Sequence, residues 1–144
     1  MKYKRKQISE KERARIFDLL KEHLSREPLL FAYLFGSFTS DKEFNDIDIA
    51  VFADTDRFLK KSLLEYEIAL EQRLANILRE YSIDVRVLNN APISFKYQVI
   101  KNGLPVCIRD EDAMTDFEVL IYAIYFDFAP FQKRYLKEVL SAEV

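Results

Sequence analysis

Apolar residues recur along the chain with two different periods, and the switches between those periods mark out the elements. Ile16, Leu19, Leu20 and Leu24 repeat at spacings of three and four, which predicts a helix from Glu10 to about Arg26. Ser9 and Glu12 form a capping-box pattern at its start. Leu29 to Phe35 is an unbroken apolar run of strand length, stopped by Gly36-Ser37. Residues 38–45 are mostly polar and predict a short helix or a loop. From Asp46 to Phe52 the period drops to two: Ile47, Ile49 and Val51 share one face of a strand, and Asp46, Asp48 and Ala50 the other. A second long helix is predicted over Ser62 to about Tyr81, with Leu63, Glu67, Leu70, Leu74, Ile77 and Leu78 along one side. Ile83 to Leu88 reads as a third strand, with Ile83, Val85 and Val87 on one face and Asp84 and Arg86 on the other. Pro92 suits the first turn of a helix running to about Asn102, which Gly103 closes, and Leu104 to Ile108 is a short strand. The acidic Asp110-Glu111-Asp112 start complements the dipole of a last helix reaching about Leu140, broken or kinked near Pro130.

The order α, β, β, α, β, α, β, α predicts a small mixed α/β (α+β) layer fold, a sheet flanked by helices. At 144 residues, with 49% hydrophobic and 32% charged, the chain has the makings of one domain over 1–144. Its core is expected at about 15–110 and a C-terminal helical segment at about 112–141. No apolar run approaches the roughly 20 residues that cross a bilayer. The start Met1-Lys2-Tyr3-Lys4-Arg5-Lys6 has no apolar stretch behind it, so it is not read as a signal peptide and the expected location is the cytoplasm.

A net charge of -2 argues against a general nucleic-acid binder. The basic residues of 2–6 read as a solvated end rather than a phosphate or RNA contact. Cys107 is the single cysteine, which excludes an internal disulfide and an all-cysteine metal site; it reads as a core residue. His23 is the single histidine and lies beside the first apolar stripe, where it reads as structural. Only Gly36 and Gly103 are glycines, so a glycine-rich loop is excluded and each is expected at a demanding turn.

Asp46 and Asp48 carry the chemical signal. At i and i+2 of a strand their side chains project from one face, roughly 6.5–7 Å apart at Cα. Two carboxylates about 6 Å apart repel by about 3 kcal/mol at an effective dielectric near 20. Aspartate is also a poor strand former. Asp84 repeats the anomaly on the third strand, and if the two strands are neighbours, three carboxylates converge. Such hard oxygen ligands suit Mg²⁺ or Mn²⁺ rather than zinc, and two such ions can clamp the attacking and leaving oxygens of a phosphoryl displacement. Gly36-Ser37 supplies a complement: it follows an apolar strand, opens a polar segment, and offers backbone N–H groups and a hydroxyl to an anion.

Leu34-Phe35-Gly36-Ser37-Phe38 followed by Asn45-Asp46-Ile47-Asp48-Ile49-Ala50-Val51 resembles the signature of the DNA polymerase beta-like nucleotidyltransferases, and the small size resembles their minimal members (MNT). Ile83-Asp84-Val85-Arg86-Val87-Leu88-Asn89-Asn90-Ala91-Pro92 is similar to the third-carboxylate strand of that group, and Gly103-Leu104-Pro105-Val106 with the Phe117 to Leu136 helix to its tail. The resemblance spans about residues 15–140. It implies the nucleotidyltransferase fold and Mg²⁺-dependent transfer of AMP from ATP, with two ions. It also implies an antitoxin role toward a HEPN-domain toxin whose tyrosine accepts the AMP. Carried over, Gly36 and Ser37 hold the triphosphate, Asp46 and Asp48 bind both metals, and Asp84 binds the catalytic metal and helps deprotonate the attacking hydroxyl. The segment Phe38 to Asn45 is shorter than the family's usual spacer, and Thr39 and Ser40 stand where many members carry arginine and glycine; Lys42 is the one cation nearby in sequence. A catalytically weak or inactive antitoxin that acts by binding alone is therefore the alternative.

The last helix is rich in aromatics. Phe117, Leu120, Ile121, Ile124 and Phe128 fill one helical face, which predicts the core side. Tyr122, Tyr125 and Phe126 lie off that stripe and read either as a second packed face or as an interface for the toxin or for a homo-oligomer.

Overall fold

The computed structural model describes residues 6–40, 43–58 and 62–142, so the basic residues 2–5 and Lys42 lie outside it. The chain runs β1 (Lys6–Gln7), α1 (Glu10–Leu24), β2 (Leu29–Phe35), α2 (Ser37–Ser40), β3 (Glu43–Phe44), β4 (Asp46–Ala53), a 3₁₀ turn (Thr55–Arg57), α3 (Leu63–Ile77), β5 (Ser82–Val87), α4 (Ile93–Asn102), β6 (Leu104–Ile108) and α5 (Glu111–Ala142). Four strands form a sheet in the order β5-β4-β2-β6, with β4 and β5 parallel and β2 antiparallel to both its neighbours. The parallel pair is joined through α3, the crossover that parallel strands require. β1 and β3 add a two-stranded ribbon that the hydrophobic pattern did not signal, because two residues are too few to show a period.

The alternation along the strands sorts the core into two layers. Ile47, Ile49, Val51, Ile83 and Val85 pack with Ile16, Leu20 and Leu24 of α1 and Tyr66, Leu70 and Leu74 of α3. Phe31, Tyr33 and Ala50 pack on the opposite face with Tyr97, Val99 and Ile100 of α4 and Phe117 and Ile121 of α5. β2 lies inside the sheet and is covered on both faces, which explains its unbroken apolar run. The cap expected at Ser9 forms, its hydroxyl accepting from the Glu12 N–H, and Ser62 caps α3 in the same way by accepting from the Glu65 N–H, each at 3.1 Å. Asp110 likewise accepts from Ala113 N at 3.0 Å at the start of α5.

Three expectations change in the packed chain. α5 runs as one helix through Pro130 without a break, a proline removing only one helical donor from its 32 residues. On α5, Phe117 and Ile121 are buried, but Leu120 is 56% and Ile124 38% exposed. Tyr122 and Tyr125 take the core side instead, with Tyr125 stacked on Tyr97 at 3.6 Å between ring centroids. α4 covers only one side of α5, so the buried stripe follows the ring it stacks on; the side chains of Phe128 and Phe131 lie outside the described set. Ile77 on α3 is also exposed, since that helix ends there instead of reaching Tyr81.

Glu67 stands in an otherwise apolar stripe for a reason that the strands supply. β5 is an edge strand, and its outward N–H groups at Val87 and Val85 donate to Glu67 Oε2 and Glu71 Oε1, both at 2.9 Å. Four residues of helix rise about 6 Å and two of strand about 6.6 Å, so the two carboxylates match two successive donors. They close the edge to another chain and hold β5 in register. Replacing both by alanine should expose two strand donors at an open edge. We expect a loss of about 1–3 kcal/mol by urea denaturation and a concentration-dependent shift to larger species on size exclusion. An unchanged midpoint would mean that the two bonds contribute nothing to holding the strand.

Candidate active site

The pairing of β4 with β5 sets the site. In their parallel register Asp46 is the partner of Ser82, Asp48 of Asp84 and Ala50 of Arg86. Strands lie about 4.8 Å apart, so Asp48 and Asp84 stand side by side on the face that α4 and α5 cover, opposite Ile47, Ile49, Ile83 and Val85. The Asp48 carboxyl is pushed up to about 6, by burial first and then by the negative charges of Asp84 and Asp46; the Arg86 guanidinium opposes this. Arg86 reaches Asp84 at 3.8 Å, with both side chains well exposed, which makes a weak pair that leaves the acidic centre undercompensated.

Gly36 is required by what lies against it. Its φ is +77°, and a Cβ there would collide with Asp48 Oδ2 and stand 3.2 Å from Asp48 Cγ. The turn from β2 into α2 therefore exists so that backbone and carboxylate can meet. Its carbonyl accepts from the Thr39 hydroxyl at 2.9 Å and the Ser40 hydroxyl at 3.2 Å, which fixes the bend. Arg13 of α1 donates to the Phe38 carbonyl, and its guanidinium lies 5.1 Å from the Phe38 ring centre and 5.4 Å from that of Phe44. Phe38 and Phe44 pack edge to face at 5.0 Å, so the two described ends of the short segment between Ser37 and Asp46 are held together. Lys42, the cation nearby in sequence, lies outside the described residues; the fold brings Arg13, more than twenty residues upstream, to the Phe38 end.

Phe95 of α4 lines the same groove as Asp84. It packs edge to face on Phe35 at 5.5 Å and carries the Arg86 guanidinium 5.8 Å from its ring centre. A groove of about 690 Å³ runs along the β5 edge, with Asp84 and Arg86 meeting Leu63, Leu64, Pro92 and Phe95. The strand alternation identified Arg86 only as facing the acidic side; its stacking on Phe95 depends on α4 and had no sequence signal.

The donor set suits a hard divalent cation. Three carboxylates and no histidine or thiol match the oxygen preference of Mg²⁺, and the mutual repulsion that raises Asp48 is what a bound cation relieves. Among the described residues no three acidic, histidine or cysteine side chains are drawn tightly enough to enclose an ion by themselves. Phosphate oxygens of a substrate are the natural remaining ligands. No helix among the described residues is long and apolar enough to cross a membrane.

Comparison with known proteins bears on this arrangement. Residues 17–112 match the family model described as Polymerase beta, Nucleotidyltransferase. No curated relative matches the chain. Among solved structures, the chain is similar to one in the complex of a tri-AMPylated Shewanella oneidensis HEPN toxin with an MNT antitoxin, at 22% identity and a TM-score of 0.63, over 86% of this chain and 98% of that one. It is similar to a toxin–antitoxin structure with AMP-PNP at 24% identity and a TM-score of 0.66, over 89% and 98% of the two chains. A MntA–HepT toxin–antitoxin structure matches at 23% identity and a TM-score of 0.62, over 92% and 99%. At these identities the likeness shows a shared fold.

Two measurements follow from the geometry. Gly36→Ala should cost about 1–2 kcal/mol for the positive φ alone and also force Asp48 aside, lowering the urea midpoint. A variant as stable as the parent would contradict the close approach. For Asp48, the carboxyl is largely neutral in folded and unfolded chains below about pH 3. Between there and pH 6 the unfolded chain ionises first, so the folded state loses stability as pH rises through the folded value. Asp48→Asn should therefore stabilise the metal-free chain by about 1 kcal/mol at pH 7, after allowance for solvent screening, and leave it nearly unchanged at about pH 3. Equal effects at both pH values would show that charge at Asp48 is not the cause.

Proposed function

Because the chain belongs to the polymerase beta nucleotidyltransferases, we propose that it transfers AMP from ATP to a tyrosine hydroxyl of a HEPN-domain toxin, as the antitoxin of that pair. The observation that carries the reading is Asp48 lying in register beside Asp84 while pressed against Gly36. That arrangement puts negative oxygens next to a backbone bend suited to a triphosphate. The neighbours with an AMPylated toxin and with AMP-PNP support the nucleotide and the acceptor.

Asp46, Asp48 and Asp84 would hold two Mg²⁺ ions, which supply charge neutralisation for the transferring phosphoryl group and its leaving group. Gly36 and the Ser37 hydroxyl bind the β- and γ-phosphates and keep the α-phosphorus in line. Asp84 accepts the tyrosine proton as the phenolic oxygen bonds to the α-phosphorus. The bond from that phosphorus to the bridging oxygen breaks, and pyrophosphate leaves with the electron pair. Phe95 and Phe35 limit water on the α4 side, favouring the protein hydroxyl over hydrolysis.

The shortness of the segment between Ser37 and Asp46 favours a second reading, an antitoxin that neutralises its partner by binding alone. One experiment separates the two. With labelled ATP, Mg²⁺ and the HEPN partner, label should appear on a toxin tyrosine. Asp84→Asn should lower the rate by about 100-fold or more, and Asp46→Asn and Asp48→Asn should remove label without loss of toxin binding. Chelation by EDTA should abolish transfer. If the asparagine variants still protect cells at stoichiometric dose, neutralisation is by occlusion.

A further inference from the structure

A second cavity, of about 460 Å³, lies against Gly36 on the side of α4 and is lined by Phe35, Gly36, Thr39, Ser40, Gln98 and Asn102. Its size is within the range of small-molecule sites. None of these lining residues is charged, which makes it a poor seat for a triphosphate and a suitable one for a neutral ring. The Thr39 and Ser40 hydroxyls donate to the Gly36 carbonyl and so face a ligand only as acceptors. The side chains of the lining that can offer both a donor and an acceptor are two amides on successive turns of α4. Both are exposed, and they are bonded to each other: Asn102 Nδ2 donates to Gln98 Oε1 at 3.1 Å.

That bond has a chemical consequence. It uses one donor of Asn102 and one acceptor site of Gln98, and it holds the two amides in a fixed relation. Gln98 Nε2 then presents donors and Asn102 Oδ1 presents an acceptor. Adenine carries the complement, an amino donor at N6 next to a ring-nitrogen acceptor at N1 or N7. Guanine's O6 and N7 are both acceptors, and its O6/N1–H edge carries acceptor and donor in the reverse order to adenine's N6/N1, so a guanine seated in the same orientation leaves Asn102 Oδ1 facing an acceptor. The Phe35 ring adds an aromatic surface for a base.

The geometry points to Gln98 and Asn102 as the residues that read the base of the nucleotide, selecting adenine in this cavity while the phosphates lie at Gly36-Ser37. The inference rests on the nucleotidyltransferase reading above and names the residues that set its substrate.

The test is calorimetry on the full chain with Mg²⁺ and three probes: non-hydrolysable ATP and GTP analogues, and inorganic tripolyphosphate. The parent should prefer the ATP analogue. Gln98→Ala and Asn102→Ala should each weaken the ATP analogue by about tenfold and erase the preference over the GTP analogue. Tripolyphosphate affinity should stay the same in both variants, a readout that a misfolded or loosened site would not preserve. Variants that keep the full preference for the ATP analogue would overturn the base-reading role and leave the phosphate site standing. Equal weakening of tripolyphosphate and ATP analogue would assign the cavity to phosphates and also overturn it. If the parent binds none of the three probes, the nucleotidyltransferase reading fails, and the base-reading role with it.

Discussion

The parallel register of two neighbouring strands governs this molecule. One residue of slip between β4 and β5 would turn Asp84 to the face of α1 and α3 and set Ile83 or Val85 beside Asp48, burying a carboxylate in one layer and exposing isoleucine in the other. The register is held from three sides. The apolar alternation of both strands fills the first core layer, the Glu67 and Glu71 carboxylates occupy the outer donors of β5, and Asn89 bonds both the N–H and the carbonyl of Ala53 at the far end. Structure and charge are thus tied together: what fixes the sheet edge also fixes the distance between two aspartates.

The cost of that distance is visible at Asp48. Its carboxyl is raised by burial and by its acidic neighbours, and among the described residues only Arg86 opposes this. A fold selected only for stability would place a neutral residue there. Gly36 adds to the same cost, since its left-handed backbone and its contact with Asp48 permit no side chain. Both features make sense where a cation and a polyphosphate arrive together, each relieving the strain the other leaves. The two cavities differ in lining, a groove at Asp84 with charged and apolar walls and an uncharged one at Gly36. Such a division suits a reaction that joins two different molecules.

The far face of α5 is shaped by different constraints. Tyr33 in the centre of the sheet donates to Glu118, and Tyr97 stacks on Tyr125, so this helix is fixed to the second core layer by polar and aromatic contacts as much as by aliphatic ones. Val119, Leu120 and Phe126 remain more than half exposed. Aromatic content alone could not distinguish the packed rings from the open ones, because every third or fourth residue of that helix is apolar on more than one side.

The amino-acid sequence by itself determined the four strands of the main sheet, the long helices around them and the candidate acidic triad, but not the β1–β3 ribbon. Alternation at 46–52 and 83–88 is a local property that survives in any strand, and the Gly-Ser bend is a local backbone demand. Family membership follows from the same local order. Tertiary structure decided everything that needs two distant segments to meet: Asp48 against Gly36, Arg13 on the Phe38 carbonyl, Phe95 packed on Phe35 beside Arg86, and which side of α5 is buried. The physical reason is that side-chain periodicity states which way a residue faces, while only packing states what it faces.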